Sequence, residues 1–172
     1  MSKAFDTVNT HTLMNKIHKT SIPPTIIKYI ANYIKSRKAY TFYNQTQSKQ
    51  LHLETGVPQG GVLSPILFNI YMSDIPDSPE NVHLYSYADD ITTLSLHHDT
   101  QIAQDQLQPY LDKIHQWTID NDLKVNADKS TSTLFTLHPN KYNNKLNLHI
   151  SNVRIPTVQH PKILGLTFDP HL

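Results

Sequence analysis

Tyr87-Ala88-Asp89-Asp90 is the most informative part of this sequence, because two adjacent carboxylates lie there between two strand-like runs. Residues 82–87 lead into the carboxylates and residues 91–96 follow them, and both runs are rich in β-branched, aromatic and aliphatic side chains. Such runs are typical of β-strands, so the pattern predicts a hairpin with two acids at its tip. Rigidly held carboxylates suit a hard cation such as Mg²⁺, which prefers oxygen ligands. The simpler alternative is that Asp occurs here as a common turn residue.

Composition limits the class of protein. The chain of 172 residues is long enough for one domain with a hydrophobic core. Its net charge of +1 gives no global basic signature, so nucleic-acid binding must depend on local surfaces or on missing parts of the protein. The absence of cysteine excludes disulfides, zinc–thiolate sites and cysteine nucleophiles. Because no signal peptide or membrane-spanning run is visible, we expect an intracellular protein of the nucleus or cytoplasm that is neither secreted nor membrane-bound.

Hydrophobic periodicity predicts the elements on both sides of the acidic hairpin. Before it, we expect helices over residues 9–18 and 24–37, and strands over 39–43 and 50–54 joined by a polar loop. A helix with Ser64 as its N-cap and Pro65 as its first residue should follow, and it should be buried because it is apolar nearly all round. After the hairpin, the pattern predicts a helix over residues 100–121 with a kink or break at Pro109. Strands over 132–137 and 163–168 and a hairpin around Ser151-Asn152 complete the prediction.

Four blocks of sequence occur in a fixed order. They are Ser-Lys-Ala-Phe-Asp-Thr-Val at residues 2–8, Gly-Val-Pro-Gln-Gly-Gly-Val-Leu-Ser-Pro at 56–65, Tyr-Ala-Asp-Asp at 87–90 and Lys-Ile-Leu-Gly-Leu at 162–166. This series closely resembles the reverse transcriptase domain of non-LTR retrotransposons, the LINE-like elements of the jockey or CR1 kind. Tyr-Ala-Asp-Asp alone would be weak evidence, but the order and spacing of the first three blocks are very specific. The resemblance covers essentially the whole chain.

The resemblance implies an α+β fold, the palm of a polymerase, in which helices back an antiparallel sheet. Residues 1–172 would form this palm, with the fingers and the thumb largely missing. The implied activity is RNA-directed DNA synthesis, in which a deoxynucleoside triphosphate is joined to a primer 3′-hydroxyl with two Mg²⁺ ions, or Mn²⁺ as an alternative. The implied partners are an RNA template, a DNA primer, the nucleotide and the rest of the element's polyprotein, including an endonuclease.

The resemblance also assigns roles to residues that match the family's blocks. Asp89 matches the principal catalytic metal ligand, and Asp90 matches its less direct partner. The loop that contacts the nascent base pair corresponds to Gly56, Pro58, Gln59 and Gly60, where glycine lets backbone approach a nucleotide closely. A tight turn before the next helix would explain the same glycines.

Three further positions match the family. Phe5 matches the bulky aromatic that lies under the sugar and excludes a 2′-hydroxyl, although it could equally be a core residue. Lys129 falls where the family has a lysine able to protonate pyrophosphate, although a lysine in a polar turn is often only solvated. Leu164 and Gly165 fall in the segment that resembles the primer-gripping hairpin, whose apolar residues a core strand would also explain.

One expected ligand falls outside the chain. The family's first block begins with an Asp, a main metal ligand, four positions before the alanine that is Ala4 here, so it would precede Met1. Asp6 matches the second, non-ligand Asp of that block, and we expect a structural role for it. We therefore hypothesise that Met1 is an internal methionine and that this chain alone polymerises poorly or not at all.

Two other classes of function compete with this interpretation. The first is a non-catalytic nucleic-acid-binding or interaction remnant of such an element, which would bind primer–template without turnover. The second is a metal-binding protein that uses some of its 11 histidines. The histidines are scattered, with no convincing pair at helical zinc-site spacing, so the second alternative is disfavoured.

Overall fold

The computed structural model describes residues 1, 3–35, 37–138, 140–141 and 144–169. Contacts divide the chain into two compact units. The first consists of Met1–Ile75 with Thr118–Lys124, and the second of Pro76–Trp117 with Val125–Leu172. No helix in the described part of the chain is both long and apolar enough to cross a lipid bilayer.

The first unit contains the four shorter helices and a long hairpin. In chain order its elements are α1 (Ala4–Thr7), α2 (Thr10–His18), α3 (Pro24–Ile34), β1 (Arg37–Ala39), β2 (Phe42–Tyr43), β3 (Thr46–Gln47), β4 (Leu51–Leu53) and α4 (Ser64–Met72). Asn9 caps α2, since its side chain accepts hydrogen bonds from the backbone of His11 and Thr12. The fully buried side chains include Val8, Leu13, Ile17, Leu67, Phe68 and Tyr71, so α2 and α4 contribute much of this core.

Helix α4 differs from the prediction in two ways. Leu63 rather than Ser64 is the N-cap, because the Ser64 hydroxyl donates instead to the carbonyl of Pro58 in the preceding turn. Only one face of the helix is buried, since Ile66 is 56% exposed. The prediction of burial on every side was therefore wrong.

Helix α3 also ends earlier than predicted. It stops at Ile34, and the Nε of Arg37 donates to the Ile34 carbonyl at 3.1 Å. The arginine thus satisfies a carbonyl at the helix end while its own backbone begins β1. The predicted strands over 39–43 and 50–54 correspond to a hairpin in which β1 pairs with β4 and β2 with β3. Its turn, Asn44-Gln45, has positive φ at both positions, as type I′ hairpins require.

The second unit contains the predicted acidic hairpin. Strands β5 (Val82–Tyr87) and β6 (Asp90–Ser95) pair in antiparallel register over six residues. They pack on α5 (Thr100–Asp120), where Val82, Tyr110 and Ile114 form a buried cluster. Helix α5 continues through Pro109, so the predicted break was wrong. Proline in a helix costs about 3 kcal/mol, and the packing of α5 in this cluster offsets that cost.

The remaining strands are short. β7 (His149–Ile150) and β8 (Val153–Arg154) form the hairpin predicted at Ser151-Asn152. The predicted strand over 132–137 was wrong, because only Ser132 forms a bridge, to Thr157. The Val158 carbonyl, which the next bond of a longer ladder would use, accepts instead from the hydroxyl of Thr133 at 2.8 Å.

The last predicted strand is a hairpin. β9 (Lys162–Ile163) pairs with β10 (Leu166–Thr167), and the turn between them has positive φ at Leu164 and Gly165. A single strand over 163–168 was therefore wrong, whereas the hairpin that the family resemblance implied is present. The α+β class is confirmed, with two-stranded antiparallel sheets in the described residues.

Candidate active site

The two acids lie at a tightly constrained turn. The loop between β5 and β6 consists of Ala88 and Asp89, since Tyr87 pairs directly with Asp90. Ala88 has a φ of 50°, a region that costs a residue with a Cβ about 1–2 kcal/mol. The register of the six-pair ladder fixes this conformation. Asp89 is half-buried and Asp90 is exposed. The paired strands therefore hold two consecutive carboxylates on a rigid support.

These carboxylates fit part of a metal coordination sphere. The described residues contain no group of three or more His, Asp or Glu side chains that could hold a metal ion. Mg²⁺ usually keeps several waters and binds through one or two carboxylates together with substrate phosphates. Asp89 and Asp90 therefore match the donor set of such an ion but cannot fill its six positions alone.

The glycine loop is bound to the first sequence block inside the first unit. The Gly56 N–H donates to the Val8 carbonyl at 2.7 Å, and the Val57 N–H donates to the Phe5 carbonyl at 2.8 Å. Gly56 has a φ of 85°, and a Cβ there would lie 2.8 Å from the Asp6 carbonyl oxygen. Glycine is thus required at this position by both conformation and space.

Gln59 is held by Asp6. Its Nε2 donates to Asp6 Oδ1 at 2.9 Å, and both side chains are exposed. This contact agrees with the structural role expected for Asp6, and it adds a partner that the sequence did not indicate. One amide proton of Gln59 is used, so its other proton and its carbonyl oxygen retain the capacity to bond a nucleotide.

Arg37 supports the same loop, although the sequence analysis missed it. Its Nη2 donates to the carbonyls of Thr55 at 2.8 Å and Gly56 at 2.6 Å. A guanidinium is suited to this role because it presents several donors in a fixed plane. Nothing in the local pattern distinguishes this arginine from the lysine that follows it, so it could be found only from the structure.

The other predicted residues of the first unit lie close to this loop. Phe5 is half-buried and stacks on Phe68 of α4, with ring centroids 4.5 Å apart. The Pro58 carbonyl also accepts from the Gly61 N–H at 3.1 Å. Gly60 is exposed, and a Cβ there would meet no described atom within 4 Å. Packing explains Phe5 and Gly56, whereas it does not explain Gly60.

The remaining predicted residues belong to separate elements of the second unit. Lys129 is exposed and ends a short 3₁₀ turn, where its N–H bonds the side chain of Asn126 at 3.2 Å. Leu164 is 60% exposed at the turn between β9 and β10, beside Gly165. Their proposed roles stay predictions.

Each unit contains a buried tyrosine in its core. Tyr71 of α4 accepts a hydrogen bond from the Asn9 N–H at 3.3 Å and donates to the Asn121 carbonyl. Burial raises the pKa of Tyr71 and also the pKa of Tyr110. Lys16 donates to the Tyr71 carbonyl at 2.6 Å, and burial lowers the pKa of this lysine.

Comparison with known proteins identifies the family. The sequence profile described as reverse transcriptase (RNA-dependent DNA polymerase) matches residues 1–168. The chain belongs to the reverse transcriptase family. The predicted likeness to enzymes of jockey-like elements is thereby confirmed, and members of this family generally depend on divalent metal ions.

The relatives are enzymes of mobile elements. The chain is 28% identical over 179 residues to the RNA-directed DNA polymerase from mobile element jockey of Drosophila melanogaster, covering 100% of the chain and 19% of that protein. It is 32% identical over 143 residues to the jockey enzyme of Drosophila funebris, covering 79% of the chain and 16% of that protein. The probable RNA-directed DNA polymerase from transposon X-element of Drosophila melanogaster is 27% identical over 174 residues, which cover 99% of the chain and 19% of that protein. The chain thus spans less than a fifth of the length of these three relatives.

The charged residues of this reverse transcriptase sequence are unevenly distributed along the chain. Residues 7–53 contain seven Lys and Arg residues and no Asp or Glu, whereas residues 54–112 contain nine Asp and Glu residues and no Lys or Arg. The net charge of +1 conceals this division. A count by segment, rather than over the whole chain, would have revealed a basic region that includes the hairpin β1–β4.

Proposed function

We propose that this chain is the palm portion of an RNA-directed DNA polymerase from a LINE-like mobile element. It would join a deoxynucleoside triphosphate to a primer 3′-hydroxyl, copying an RNA template. The observation that carries the proposal is the pair of carboxylates at the β5–β6 turn, in a chain whose residues 1–168 match the reverse transcriptase family. Because the chain spans less than a fifth of these three relatives, the activity of the whole protein is part of the proposal.

The chemistry would be shared between metal ions and side chains. When bound, two Mg²⁺ ions, or Mn²⁺ ions in their place, would activate the primer hydroxyl and stabilise the leaving pyrophosphate. Asp89 would be the main ligand from this chain, with Asp90 beside it. Positioning and charge neutralisation account for most of the catalysis in such transfers, which fits a site built on a rigid hairpin.

Other residues would bind and orient the reactants. Gln59, held by Asp6, would contact the incoming nucleotide and template, and backbone at the loop of Gly56, Pro58 and Gly60 would approach the nascent pair. Phe5 would exclude a 2′-hydroxyl, and Lys129 would give a proton to pyrophosphate. Leu164 and Gly165 would hold the DNA primer, while the fingers, thumb and endonuclease would come from other parts of the polyprotein.

Paramagnetic Mn²⁺ tests the metal site without requiring turnover. In the purified 172-residue chain, Mn²⁺ should broaden the amide NMR signals of residues 88–91 first, and excess Mg²⁺ should restore them. Asp89→Asn should abolish this preference. Asp77→Asn, which removes an exposed acid elsewhere in the second unit, should leave it intact. Broadening that is spread evenly over the acidic side chains, or that survives Asp89→Asn, would contradict the proposal.

Primer extension on an RNA template tests the polymerase activity itself. We expect little or no synthesis from the 172-residue chain, because two carboxylates leave the metal geometry underdetermined. Any synthesis should disappear in Asp89→Ala. Robust, Asp89-dependent synthesis would overturn the hypothesis that the chain alone is a poor polymerase, and synthesis that survives Asp89→Ala would contradict the assigned catalytic role.

A further inference from the structure

The hairpin formed by β1, β2, β3 and β4, residues 37–53, has an unusual surface. We call it the aromatic arm. All of its residues from 40 to 53 are exposed. Three aromatic side chains lie within four positions of its outgoing strand, Tyr40 at 56%, Phe42 at 65% and Tyr43 at 74% exposure. A cluster of exposed large rings often marks an interaction site, whereas single exposed apolar residues are common on protein surfaces.

Charge indicates what kind of partner the aromatic arm fits. The arm carries Arg37, Lys38 and Lys49 and no acid, and it lies within the acid-free segment 7–53. Lys38 lies directly opposite His52 in the ladder, and Tyr40 and Phe42 follow Lys38 at alternate positions. Cations on either side of exposed rings match a polyanion with flat apolar groups, which describes unpaired nucleic acid.

We propose that the aromatic arm binds a single strand of nucleic acid. Bases stack on Tyr40, Phe42 and Tyr43, and Lys38 and Lys49 neutralise the phosphates. The identity of that strand as the unpaired template rests on the proposed function, whereas the binding itself does not. A polypeptide partner would explain the rings, but the lack of any acid on the arm favours a polyanion.

The base of the aromatic arm is attached to the glycine loop. Arg37 binds the carbonyls of Thr55 and Gly56 immediately after the arm ends, and Leu53 is three residues before Gly56. The bound strand is therefore held by an element that shares its anchor with the loop assigned to the nascent base pair.

Fluorescence anisotropy can measure this binding in the 172-residue chain. The probes are labelled oligo(U) and oligo(dT) of about 15 nucleotides, a length that a single-strand site can occupy, across about 50–300 mM salt. The test variants are Tyr40→Ser with Phe42→Ser and Tyr43→Ser, and separately Lys38→Gln with Lys49→Gln. Tyr85→Ser is the matched control, because Tyr85 is 58% exposed but lies in the acidic segment.

The two test variants should fail in different ways. Loss of the three rings should weaken binding about tenfold or more at every salt concentration, without changing the salt slope. Loss of the two lysines should reduce the slope of log K against log salt by about 1.4, since single strands lose ~0.7 per phosphate contact. The Tyr85→Ser chain should bind like the unaltered protein. Thermal unfolding of each variant checks that it remains folded.

Three results would overturn the proposal. The first is unchanged affinity after removal of the three rings, which would mean that the arm serves a polypeptide contact. The second is a loss of affinity in Tyr85→Ser as large as that in the ring variant. The third is a lysine variant whose affinity has the same salt dependence as that of the unaltered chain. The experiment uses no nucleoside triphosphate and no turnover, so its outcome does not depend on polymerase activity. Binding through the arm together with a failed Mn²⁺ experiment would reject the proposed polymerase function and retain this inference.

Discussion

The glycine loop and the acidic turn both match sequence blocks of the family, but they are built differently. The loop is tied to the backbone of Phe5 and Val8 and to the side chain of Arg37. The turn is fixed by the β5–β6 ladder and presents Asp90 to solvent. Folding alone therefore explains Gly56, whereas the β5–β6 ladder does not require a carboxylate at the exposed Asp90. The acidic turn is therefore stronger evidence for function than the glycine loop, because part of the loop motif reflects packing.

The largest expected effect is that of Gly56→Ala. A Cβ at a φ of 85°, 2.8 Å from the Asp6 carbonyl oxygen, combines backbone strain with overpacking. We expect a loss of about 2–5 kcal/mol in the free energy of unfolding, measured by urea denaturation. Gly60→Ala is the matched control, since its φ is 79° and its Cβ would meet open space, so only the backbone cost of about 1–2 kcal/mol is expected. Equal losses would mean that the loop is not held by the first block.

Alkaline pH compares the two cores directly. Burial raises the pKa of Tyr71 in the first unit and of Tyr110 in the second. The folded chain then keeps phenolic protons that the unfolded chain releases near pH 10, so stability should fall as pH rises above about 10. Tyr71→Phe should weaken this dependence and cost about 1–3 kcal/mol at neutral pH, because the Asn121 carbonyl loses its donor.

The buried Lys16 affects stability in the opposite direction as pH rises, so its contribution has to be separated from that of the tyrosines. Burial lowers the pKa of Lys16, so the folded chain releases that proton at lower pH than the unfolded chain, and this group adds stability as pH rises. Lys16→Met removes that contribution and should make the alkaline loss steeper. An unfolding free energy that stays constant above pH 10 in Lys16→Met would contradict the assignment of the two tyrosines.

The smallest expected effect is that of Asp90→Asn on stability. The side chain is exposed in a strand, so the free energy of unfolding should change by less than about 0.5 kcal/mol. The preference of Mn²⁺ for the turn should nevertheless weaken. A loss of stability as large as that from Gly56→Ala would mean that the acidic turn is structural, and the contrast between the two motifs would disappear.

Local patterns predicted the elements whose causes are local. The β5–β6 hairpin, α2 and the hairpin at Ser151-Asn152 follow from strand composition, helical periodicity and turn chemistry. Failures occurred where a distant group decided the outcome. Pro109 stays inside α5 because of tertiary packing. The strand over 132–137 stops after one bridge because the Val158 carbonyl accepts from the Thr133 hydroxyl, a contact that no reading of residues 132–137 alone could reveal.

The candidate site divides in the same way. Asp89, Asp90 and the glycines were found because motif spacing identifies them. The hydrogen bond from Gln59 to Asp6 joins residues 53 positions apart. The bonds from Arg37 to the carbonyls of Thr55 and Gly56 span 18 and 19 positions. No local rule predicts contacts over such separations. The aromatic arm was missed for another reason, since charge was counted over the whole chain instead of by segment.

The clamp by Arg37 gives the aromatic arm a fixed reach. Three carbonyls, of Ile34, Thr55 and Gly56, hold the guanidinium at the base of the arm. Tyr43 lies six residues beyond Arg37, about 20 Å at ~3.3 Å per residue. Because the arm is anchored and its length is constant, it should contact a constant length of the bound strand. A strand bound there should be shielded from nucleases over the same number of nucleotides whatever its sequence, and release of the guanidinium should blur the edge of that footprint.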